Sequence, residues 1–412
     1  MVPKLRFPLF HSQWDAVSLG DIIKIKSGQG FKAEEYSKSQ NINKVRLLQI
    51  ENVGYGTTKW TDNVKYLPDD YLSSYKEFTL EKGDVVLALN RPVTNNQLKI
   101  TTLKSEDVPS ILYQRVGKFI FLEKGICEQF YYQMFQEKIK NFVLVNSIGS
   151  DQPFISLTTL YRHEVYSTKL CEQTKIADFL SSVDEKITLL NKQYDLLCQY
   201  KKGMMQKIFS QEVRFKDENG EGYPEWKYVD LKEIASKVNI KNREGLVNVV
   251  LTNSATQGIV RQDSYFEREI VTESNLEGYY VVSIGDFIYN PRISATAPVG
   301  PIKMNELIQG VMSPLYTVFR FKKGLLKFYQ YFFESSVWHD YMKSVANSGA
   351  RHDRMNISGA DFFALPVSQP IEAEQTKIAN FLSAIDEKIS AKKAELDKLK
   401  NWKQGLLQQM FI

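Results

Sequence analysis

The amino-acid sequence predicts an α+β (mixed α/β) protein made of two similar globular blocks, each followed by one long helix. A stretch of 16 residues is written twice, as EQTKIADFLSSVDEKI at Glu172–Ile187 and EQTKIANFLSAIDEKI at Glu374–Ile389. The offset of 202 residues holds without a gap from Glu172–Phe209 to Glu374–Phe411, with 19 identities over 38 positions. A long period that occurs twice indicates a duplicated module and not a solenoid. Strand and helix patterns are about equally frequent before each copy.

Both copies are predicted to be long helices that carry the apolar seam of a coiled coil. Apolar residues alternate at spacings of four and three, which is typical of coiled coils when it lasts for several heptads. At about 1.5 Å per residue, 38 residues make a rod of roughly 57 Å, longer than the core of a compact domain needs. The seam candidates are Ile176, Leu180, Val183, Ile187, Leu190 and Leu197 in the first copy, and Ile378, Leu382, Ile385, Ile389, Leu396 and Leu399 in the second.

Lysine and glycine interrupt these seams at defined places. Lys201 breaks the first seam, while Lys392 and Lys403 break the second, which predicts poorer packing in the C-terminal half of the second helix. Gly203 and Gly405 occupy the same place in the two copies, and each weakens its helix by about 1 kcal/mol relative to alanine. Because the glycine recurs, we expect a close approach between helices there.

Two unrelated amphipathic helices are the alternative to a duplication. That alternative leaves the identical polar residues unexplained, because packing alone would not keep surface positions the same. The polar positions that are identical in both copies include Gln173, Thr174, Lys175, Asp184, Glu185 and Lys186.

Composition places the chain among ordinary globular proteins. Its 412 residues suit two to four domains, with 43% hydrophobic and 25% charged residues. The net charge of +5 permits nucleic-acid binding without arguing for it. Three widely spaced cysteines form no disulfide framework or metal-ligand pattern, which fits a reducing cytoplasm. No apolar run is long enough for a signal peptide or a membrane span, so we expect a cytoplasmic protein.

The domain organisation follows the repeat. We expect a first block at 1–170, a first helix at 171–211, a second block at 212–370 and a second helix at 371–412. A polar segment with glycine and proline begins the second block and is predicted to be a linker.

The two blocks share a framework and differ in their loops. Gly83-Asp84 and Gly285-Asp286 stand 202 residues apart, each before an apolar strand and then a polar loop that carries arginine. Strands are also predicted at Val45–Val53 and Gly117–Gly125. Aromatic helices are predicted at Glu128–Phe142 and, in the second block, at Leu325–Val345. Similar helices beside divergent loops indicate one partner met twice and two different targets.

The order of block, helix, block and helix resembles the specificity (S) subunit of type I restriction-modification systems. The resemblance covers the whole chain and rests on the doubled EQTKIA-FLS–DEKI helix and the Gly-Asp strand starts. It also rests on Lys202-Gly203-Met204, on Gln404-Gly405-Leu406 and on GEGYPEWKYVDL at the start of the second block.

That resemblance implies a non-catalytic DNA-reading subunit. Each block would be a target-recognition domain that reads one half of a split, asymmetric site in double-stranded DNA. The long helices would pack as an antiparallel coiled coil with pseudo-two-fold symmetry, act as a spacer and dock two methyltransferase (M) subunits. The seam residues are therefore docking candidates as well. Restriction (R) subunits would join the complex, and S-adenosylmethionine, ATP and Mg would belong to the partner subunits, with no cofactor in this chain.

Polar loop residues are the DNA-binding candidates, because arginine, asparagine and glutamine pair with base edges while basic residues also hold phosphates. The candidates that follow the Gly-Asp strands are Arg91, Asn95, Asn96, Gln97 and Lys99 in the first block, with Asn290, Arg292 and Ser294 in the second. The candidates that precede the long helices are Ser150, Asp151 and Gln152, then Arg351, His352, Arg354 and Asn356.

Catalytic patterns are incomplete. Asn290-Pro291 begins like the Asn-Pro-Pro-aromatic motif of adenine methyltransferases, but arginine and isoleucine follow it. The Ser27–Gly30 segment lacks the strand, helix and downstream acid of a dinucleotide-binding loop. Asp84 and Asp286 are single residues in predicted turns, where aspartate has a structural role. A self-contained methyltransferase or nuclease, and a coiled-coil assembly protein without DNA contact, stay open as alternatives to the DNA-reading subunit.

Overall fold

The computed structural model describes residues 1–37, 44–61, 63–146, 154–265, 276–347 and 353–411. It divides into two compact units, which are Met1–Leu190 with Glu395–Ile412, and Asn191–Ala394. Each long helix contributes one part to each unit. Across the described ranges, no helix combines the length and the apolar character that crossing a bilayer would require.

The first unit begins with the elements of the first block and ends in a long helix. Its strands are β1 (Asp15–Ser18), β2 (Ile23–Ser27), β3 (Lys44–Leu48), β4 (Lys65–Pro68), β5 (Thr79–Leu80), β6 (Val85–Ala88), β7 (Val93–Thr94), β8 (Gln97–Leu98), β9 (Ile100–Thr102), β10 (Ser110–Leu112), β11 (Val116–Phe121) and β12 (Glu164–Ser167). Its helices are α1 (Leu19–Ile22), α2 (Tyr71–Ser74), α3 (Glu128–Asn146), α4 (Leu157–Tyr161) and the long α5 (Leu170–Phe209), which continues into the second unit.

The second block repeats this plan and also ends in a long helix. Its strands are β13 (Lys227–Asp230), β14 (Ala235–Lys237), β15 (Leu251–Ser254), β16 (Gly258–Arg261), β17 (Tyr280–Val282), β18 (Phe287–Tyr289), β19 (Ile302–Met304), β20 (Gly310–Met312), β21 (Thr317–Phe321) and β22 (Pro366–Gln369). Its helices are α6 (Leu231–Ile234), α7 (Gln262–Tyr265), α8 (Leu326–Glu334), α9 (His339–Val345), α10 (Gly359–Phe363) and the long α11 (Glu372–Met410).

Each block contains a four-stranded antiparallel sheet, and the two sheets have the same arrangement. The strand order is β2-β11-β6-β9 in the first block and β14-β21-β18-β19 in the second. A short antiparallel pair, β1-β12 or β13-β22, joins the start of each block to the strand before its long helix. The remaining sheets differ, because the first block adds β4-β3-β10-β5 and the pair β7-β8, while the second has the pairs β15-β16 and β17-β20. The shared framework and the divergent parts agree with the sequence pattern.

The long helices pack antiparallel within each unit. In the first unit, Trp14 contacts both Glu172 at the start of α5 and Phe411 just after α11, and Asp184 pairs with Lys403 at 2.7 Å. In the second unit, the pairs are Tyr194 with Lys393 and Lys201 with Asp386. In both units the residue numbers rise along one helix as they fall along the other, so the predicted antiparallel pairing is confirmed.

The long helices pack against the blocks as well as against each other, because their apolar seam residues belong to the hydrophobic cores of the blocks. Leu180 and Leu406 share one cluster with Phe130 of α3, and Leu382 shares another with Phe328 of α8. Of the seam candidates, Ile187, Leu197, Ile389 and Leu399 are half-buried and the other eight are buried. The eight buried seam residues pack inside the chain, and the docking role of the seam stays a prediction.

The repeated Glu-Gln pair anchors the first block to its helix. The Glu172 carboxylate, 1% exposed, accepts hydrogen bonds from Arg6 Nε at 2.6 Å and from Trp14 Nε1 at 3.3 Å. The next residue, Gln173, accepts the backbone N–H of Cys127 at 2.9 Å, which is one residue before α3 begins. Gln173 is therefore buried in the fold, although its identity in both copies indicated a surface role.

The second copy of the pair repeats these contacts. Glu374 is fully buried and accepts hydrogen bonds from Arg214 Nε and Trp226 Nε1, both at 2.8 Å. Gln375 accepts the backbone N–H of Leu325, one residue before α8 begins. The first two letters of the doubled motif are thus explained by contacts inside each unit.

The expected close approach at the helix glycines is wrong. Among the residues that the structure describes, a Cβ atom added at Gly203 or Gly405 would have no heavy atom within 4 Å, apart from its own helix backbone and chain neighbours. No packing restriction therefore requires glycine at either place.

We expect Gly203→Ala and Gly405→Ala to stabilise the chain by about 1 kcal/mol each, because alanine restricts the unfolded chain and glycine weakens a helix interior. Urea unfolding followed by circular dichroism would measure the change in midpoint. Gly310→Ala is a destabilising control, since its Cβ would lie 2.6 Å from the Leu251 side chain. A lower midpoint for either helix variant would contradict the prediction.

Three predicted elements are shorter in the structure. The strand expected at Gly117–Gly125 ends at Phe121. The strand expected at Val45–Val53 ends at Leu48, and a 3-10 turn follows because Asn52 Oδ1 accepts the Gln49 backbone N–H at 2.9 Å. The second aromatic helix breaks after Glu334, where Ser335 is extended and its hydroxyl donates to the Phe332 carbonyl at 2.6 Å.

Candidate nucleic-acid interface

A Gly-Asp turn of the same geometry precedes the apolar strand and the polar loop in both blocks. Gly83 and Gly285 adopt φ values of +94° and +87°, which favour glycine. The carboxylates of Asp84 and Asp286 each accept the backbone N–H three residues earlier, at 2.7 Å. The predicted structural role of the two aspartates in their turns is therefore confirmed.

Each of these aspartates also binds a cation of the adjacent strand. Asp84 pairs with Lys118 of β11 at 2.7 Å, and Asp286 pairs with Arg320 of β21 at 2.5 Å. The hydrogen bond from Arg320 to Asp286 raises the pKa of the arginine. Both carboxylates are thus engaged in structural pairs. Among the described residues, no three His, Cys, Asp or Glu side chains come together as a metal site.

The first block presents an amide-bearing hairpin. Strands β7 and β8 are joined by Asn95 and Asn96, whose φ values are +51° and +57°. A two-residue turn with both φ values positive has the twist of a type I′ hairpin, and asparagine tolerates that conformation. Gln97 is exposed beside the two asparagines, while Leu98 is buried beneath them. Three sequence-predicted residues are therefore gathered at one exposed tip.

Three cations converge at the base of this hairpin. The Lys99 backbone N–H donates to the Pro92 carbonyl at 2.7 Å, which closes the hairpin. The pKa of Lys99 is lowered by burial first, and then by the nearby charges of Lys59 and Arg91. Arg91 itself has a φ of +45°, a conformation that is uncommon for a non-glycine residue. We refer to Lys59, Arg91 and Lys99 as the cation cluster.

Lys59 is the member of the cation cluster that sequence reasoning missed. It lies 40 positions from Lys99 on a separate loop, where its backbone N–H donates to the Asn52 carbonyl at 2.8 Å. Its ammonium lies 5.1 Å from the centre of the Tyr55 ring. Nothing local in the sequence pairs this loop with the hairpin.

In the second block, two of the predicted DNA contacts form hydrogen bonds within their own block. Asn290 Nδ2 donates to the Asn253 carbonyl, and Asn290 Oδ1 accepts the Arg292 backbone N–H, both at 3.0 Å. Ser294 Oγ accepts the Ala297 backbone N–H at 3.1 Å. These contacts give Asn290 and Ser294 a role in the geometry of the loop, and their contact with DNA stays a prediction.

Arg292 is the exposed cation of this loop. Its guanidinium, 64% exposed, lies 3.5 Å from the Asp353 carboxylate. The Met355 backbone N–H donates to the Pro291 carbonyl at 2.8 Å, so the two predicted loops of the second block meet. Arg354 is half-buried and Asn356 is exposed on the same segment. The remaining candidates, Ser150, Asp151, Gln152, Arg351 and His352, lie outside the described residues.

Exposed residues of the doubled helices form a second type of surface. Asp184 binds within the fold, as Gln173 does, whereas Thr174, Lys175, Glu185 and Lys186 are exposed. In the second copy, Thr376, Glu387 and Lys388 are exposed and Lys377 is half-buried.

An aromatic contact accompanies this face in each unit. Phe179 packs edge-on against Phe7 and against Trp402, and the Trp402 side chain is 50% exposed. In the second unit, Phe381 packs against Phe215 with ring centres 5.5 Å apart. Tyr200, which corresponds to Trp402, is 51% exposed. Equivalent exposed aromatic residues therefore occur in both units.

In a comparison with known protein families, one family model matches two separate parts of the chain. The family model for the type I restriction modification DNA specificity domain matches residues 11–198 and again residues 223–401.

Three curated relatives match parts or all of the chain. The specificity subunit of the type I restriction enzyme MjaVIII of Methanocaldococcus jannaschii is 38% identical over 207 residues, covering 50% of this chain and 48% of that protein. The EcoAI specificity subunit of Escherichia coli is 30% identical over 183 residues, covering 43% and 29%. The chain thus spans about half or less of these two relatives. The putative MjaX specificity subunit of M. jannaschii is 24% identical over 415 residues, covering 96% and 92%.

Solved structures share the fold over nearly the whole chain. The S subunit of a type I restriction-modification system from M. genitalium superposes with a TM-score of 0.54 at 16% identity, covering 100% of this chain and 99% of that one. A chain from a study of complex assembly and conformational transition of the type I R-M system gives 0.52 at 16% identity, covering 96% and 97%.

Proposed function

This chain belongs to the type I restriction-modification DNA specificity family, and from that premise we propose that it is a specificity subunit that reads a bipartite, asymmetric DNA site. The observation that carries the proposal is one framework, built twice, with different exposed loops. The first block presents a hairpin tipped by Asn95 and Asn96, and the second presents the loop of Arg292 and Asp353. We take 1–170 and 212–370 as the target-recognition domains, with 171–211 and 371–412 as the spacer helices.

In the first block, the cation cluster is proposed to hold DNA phosphates. The charges of Lys59 and Arg91 lower the pKa of Lys99, so an anion bound beside them would favour the charged form of Lys99. Phosphate contacts fix the position of a protein on the duplex. The hairpin tip would then enter a groove, where Asn95, Asn96 and Gln97 pair with adenine edges through their amides. A two-stranded ribbon fits the major groove of B-DNA.

In the second block, Arg292 and Asn356 are the proposed base contacts, with Arg354 beside them. The exposed pair of Arg292 with Asp353 contributes little to stability, because exposed ion pairs are worth about 0–1 kcal/mol. Arg292 is therefore able to exchange its carboxylate partner for a phosphate or a guanine edge at small cost.

The exposed residues of the doubled helices, with the aromatic residues beside them, are proposed to dock two methyltransferase subunits, one on each unit. These polar and aromatic side chains occur in both copies, as a partner that binds twice requires. Adenine methylation and ATP-dependent cleavage would reside in the methyltransferase and restriction subunits, which would also bind S-adenosylmethionine, ATP and Mg. This chain would supply recognition and no catalysis.

A methylation map tests the proposal. Cells that express the neighbouring methyltransferase subunit would be mapped at base resolution with and without this chain. We expect methylated adenines only when the chain is present, in a motif of two short, unlike halves separated by a fixed gap. Replacing residues 1–170 by another recognition block should change one half of the motif only.

Three results would contradict it. Methylation that is unchanged by the chain favours the assembly protein without DNA contact. One continuous motif excludes two separate readers. Methylation or cleavage of DNA by the purified chain alone favours a self-contained enzyme.

A further inference from the structure

A buried polar cluster joins three helices in the first unit. Lys403 of α11 is 9% exposed, and its ammonium binds Asp184 of α5 at 2.7 Å and Gln136 Oε1 of α3 at 2.9 Å. Gln133, also of α3, donates to the second oxygen of Asp184 at 2.8 Å. We refer to these four residues as the first polar cluster. The lysine that interrupts the seam is thus buried and paired with polar partners from both neighbouring helices.

The second unit contains an equivalent cluster. Lys201 of α5 binds Asp386 of α11 at 2.7 Å and Glu334 of α8 at 2.9 Å, while the Tyr331 hydroxyl donates to Asp386 at 2.7 Å. We refer to these four residues as the second polar cluster. The lysine and aspartate of each cluster stand 202 positions from their counterparts, so the duplication preserved both.

The two clusters differ only in what the recognition block contributes. The first block supplies two glutamines from α3, and the second supplies a tyrosine and a glutamate from α8. The lysine and aspartate from the long helices are the same in both clusters, whereas the residues from the blocks differ. This is expected where one kind of helix surface holds two different blocks.

Such a cluster restricts the orientation of the packed helices more than apolar contacts do. Aliphatic contacts tolerate sliding, whereas charged hydrogen bonds of 2.7–2.9 Å hold their atoms at one rotation and one translation. A buried ion pair is often no more stabilising than apolar residues of the same volume, and its best attested role is to fix register.

We propose that the polar clusters are positioning devices that set the orientation of each recognition block on the helix pair. The proposal rests on the function proposed above, because orientation matters only if each block must meet its half of a DNA site. Gln133 and Gln136 are the positioning residues of the first block, and Tyr331 and Glu334 are those of the second.

The pKa of each lysine depends in part on the residue that the block contributes. Burial lowers the pKa of Lys403, and the single carboxylate of Asp184 offsets this only in part. Burial acts on Lys201 in the same direction, but Glu334 and Asp386 together raise its pKa above the ordinary value. The block residue is therefore coupled electrostatically to the helix pair in the second unit.

The experiment replaces three of the four residues of the first polar cluster by apolar residues of similar size, as Gln133→Met, Asp184→Leu and Lys403→Met in one chain within the methyltransferase complex. We expect an unchanged or higher melting temperature. We also expect about a tenfold higher ratio of methylation at first-half mismatches to methylation at the cognate site, because displacements near 1 Å cost orders of magnitude in positioned reactions. Discrimination in the second half should not change.

A matched variant of the second polar cluster is expected to change discrimination in the other half of the DNA site. The second polar cluster, changed as Lys201→Met, Tyr331→Phe, Glu334→Gln and Asp386→Leu, should relax the second half and leave the first intact. Gln136→Glu is the conservative control, because it copies the glutamate of the second cluster and should retain normal discrimination. If the apolar chain does not fold, Gln136→Ala decides, since it removes the link to α3 while the Asp184–Lys403 pair is kept.

Unaltered discrimination in both halves, with folded variants, would overturn the proposal and leave the split-site function intact. If the wild-type complex shows no split motif, the function proposed above fails independently. Hydrogen exchange of the α3 amides in the free chain then decides the role of the cluster. Faster exchange in the apolar variant at equal melting temperature supports positioning, and identical exchange refutes it.

Discussion

Replacing Glu172 by alanine is expected to lower the free energy of unfolding of the first unit by about 3–5 kcal/mol, the usual cost of breaking a buried ion pair by removing one partner. Arg6 would remain with 9% of its side chain exposed and no carboxylate, and the Trp14 N–H would lose its acceptor. Urea unfolding followed by circular dichroism measures the loss as a lower unfolding midpoint.

Two variants separate the charge from the helix position. Glu172→Gln keeps an oxygen for Trp14 and removes only the charge, so a smaller loss is expected. Glu185→Ala changes an exposed glutamate of the same helix and should shift stability by no more than about 0.5 kcal/mol. A loss below 1 kcal/mol for Glu172→Ala would show that the anchor is not needed.

The second large effect is expected at the cation cluster. The triple variant Lys59→Gln, Arg91→Gln and Lys99→Gln should lower the affinity of the complex for DNA roughly 100-fold near physiological salt. Each phosphate contact that is lost reduces the slope of log affinity against log salt by about 0.9, so the slope should fall by nearly 3. Fluorescence anisotropy with a duplex that contains the cognate site, repeated at several salt concentrations, measures both quantities.

A charge-matched variant provides the control. Lys4, Lys124 and Lys169 are exposed in the same unit and outside the cation cluster, and their replacement by glutamine removes the same net charge. We expect little change in affinity or slope from that variant. Equal losses in both triples would mean that binding depends on net charge alone and would refute a local phosphate site.

The duplicated plan was predictable because it depends on local patterns. The 202-residue offset, the long helices and the Gly-Asp turns follow from repeated letters, apolar spacing and turn chemistry, all of which act within a few residues. The break of the second aromatic helix at Ser335 was not predictable, because a serine that bonds back to Phe332 is common inside helices as well.

Partners that are distant in sequence account for the remaining differences. Lys403 interrupts a seam when its helix is considered alone, and only the packed structure shows Asp184 facing it. Lys59 joins the cation cluster from another loop, and Asn290 is engaged by Asn253. In each case the sequence supplies the chemical group, and its function depends on which strand or helix packs against it.

The division of both long helices between the units has a consequence for the order of folding during synthesis. The first unit needs residues 395–411 to complete its core, because Phe411 packs against Trp14 and Phe130. At roughly 5–20 residues per second, those residues leave the ribosome some 10–40 s after residue 190. The second unit, which is continuous in sequence, is complete before then. The N-terminal recognition block therefore waits with part of its core open, and chaperones have most to protect in that interval.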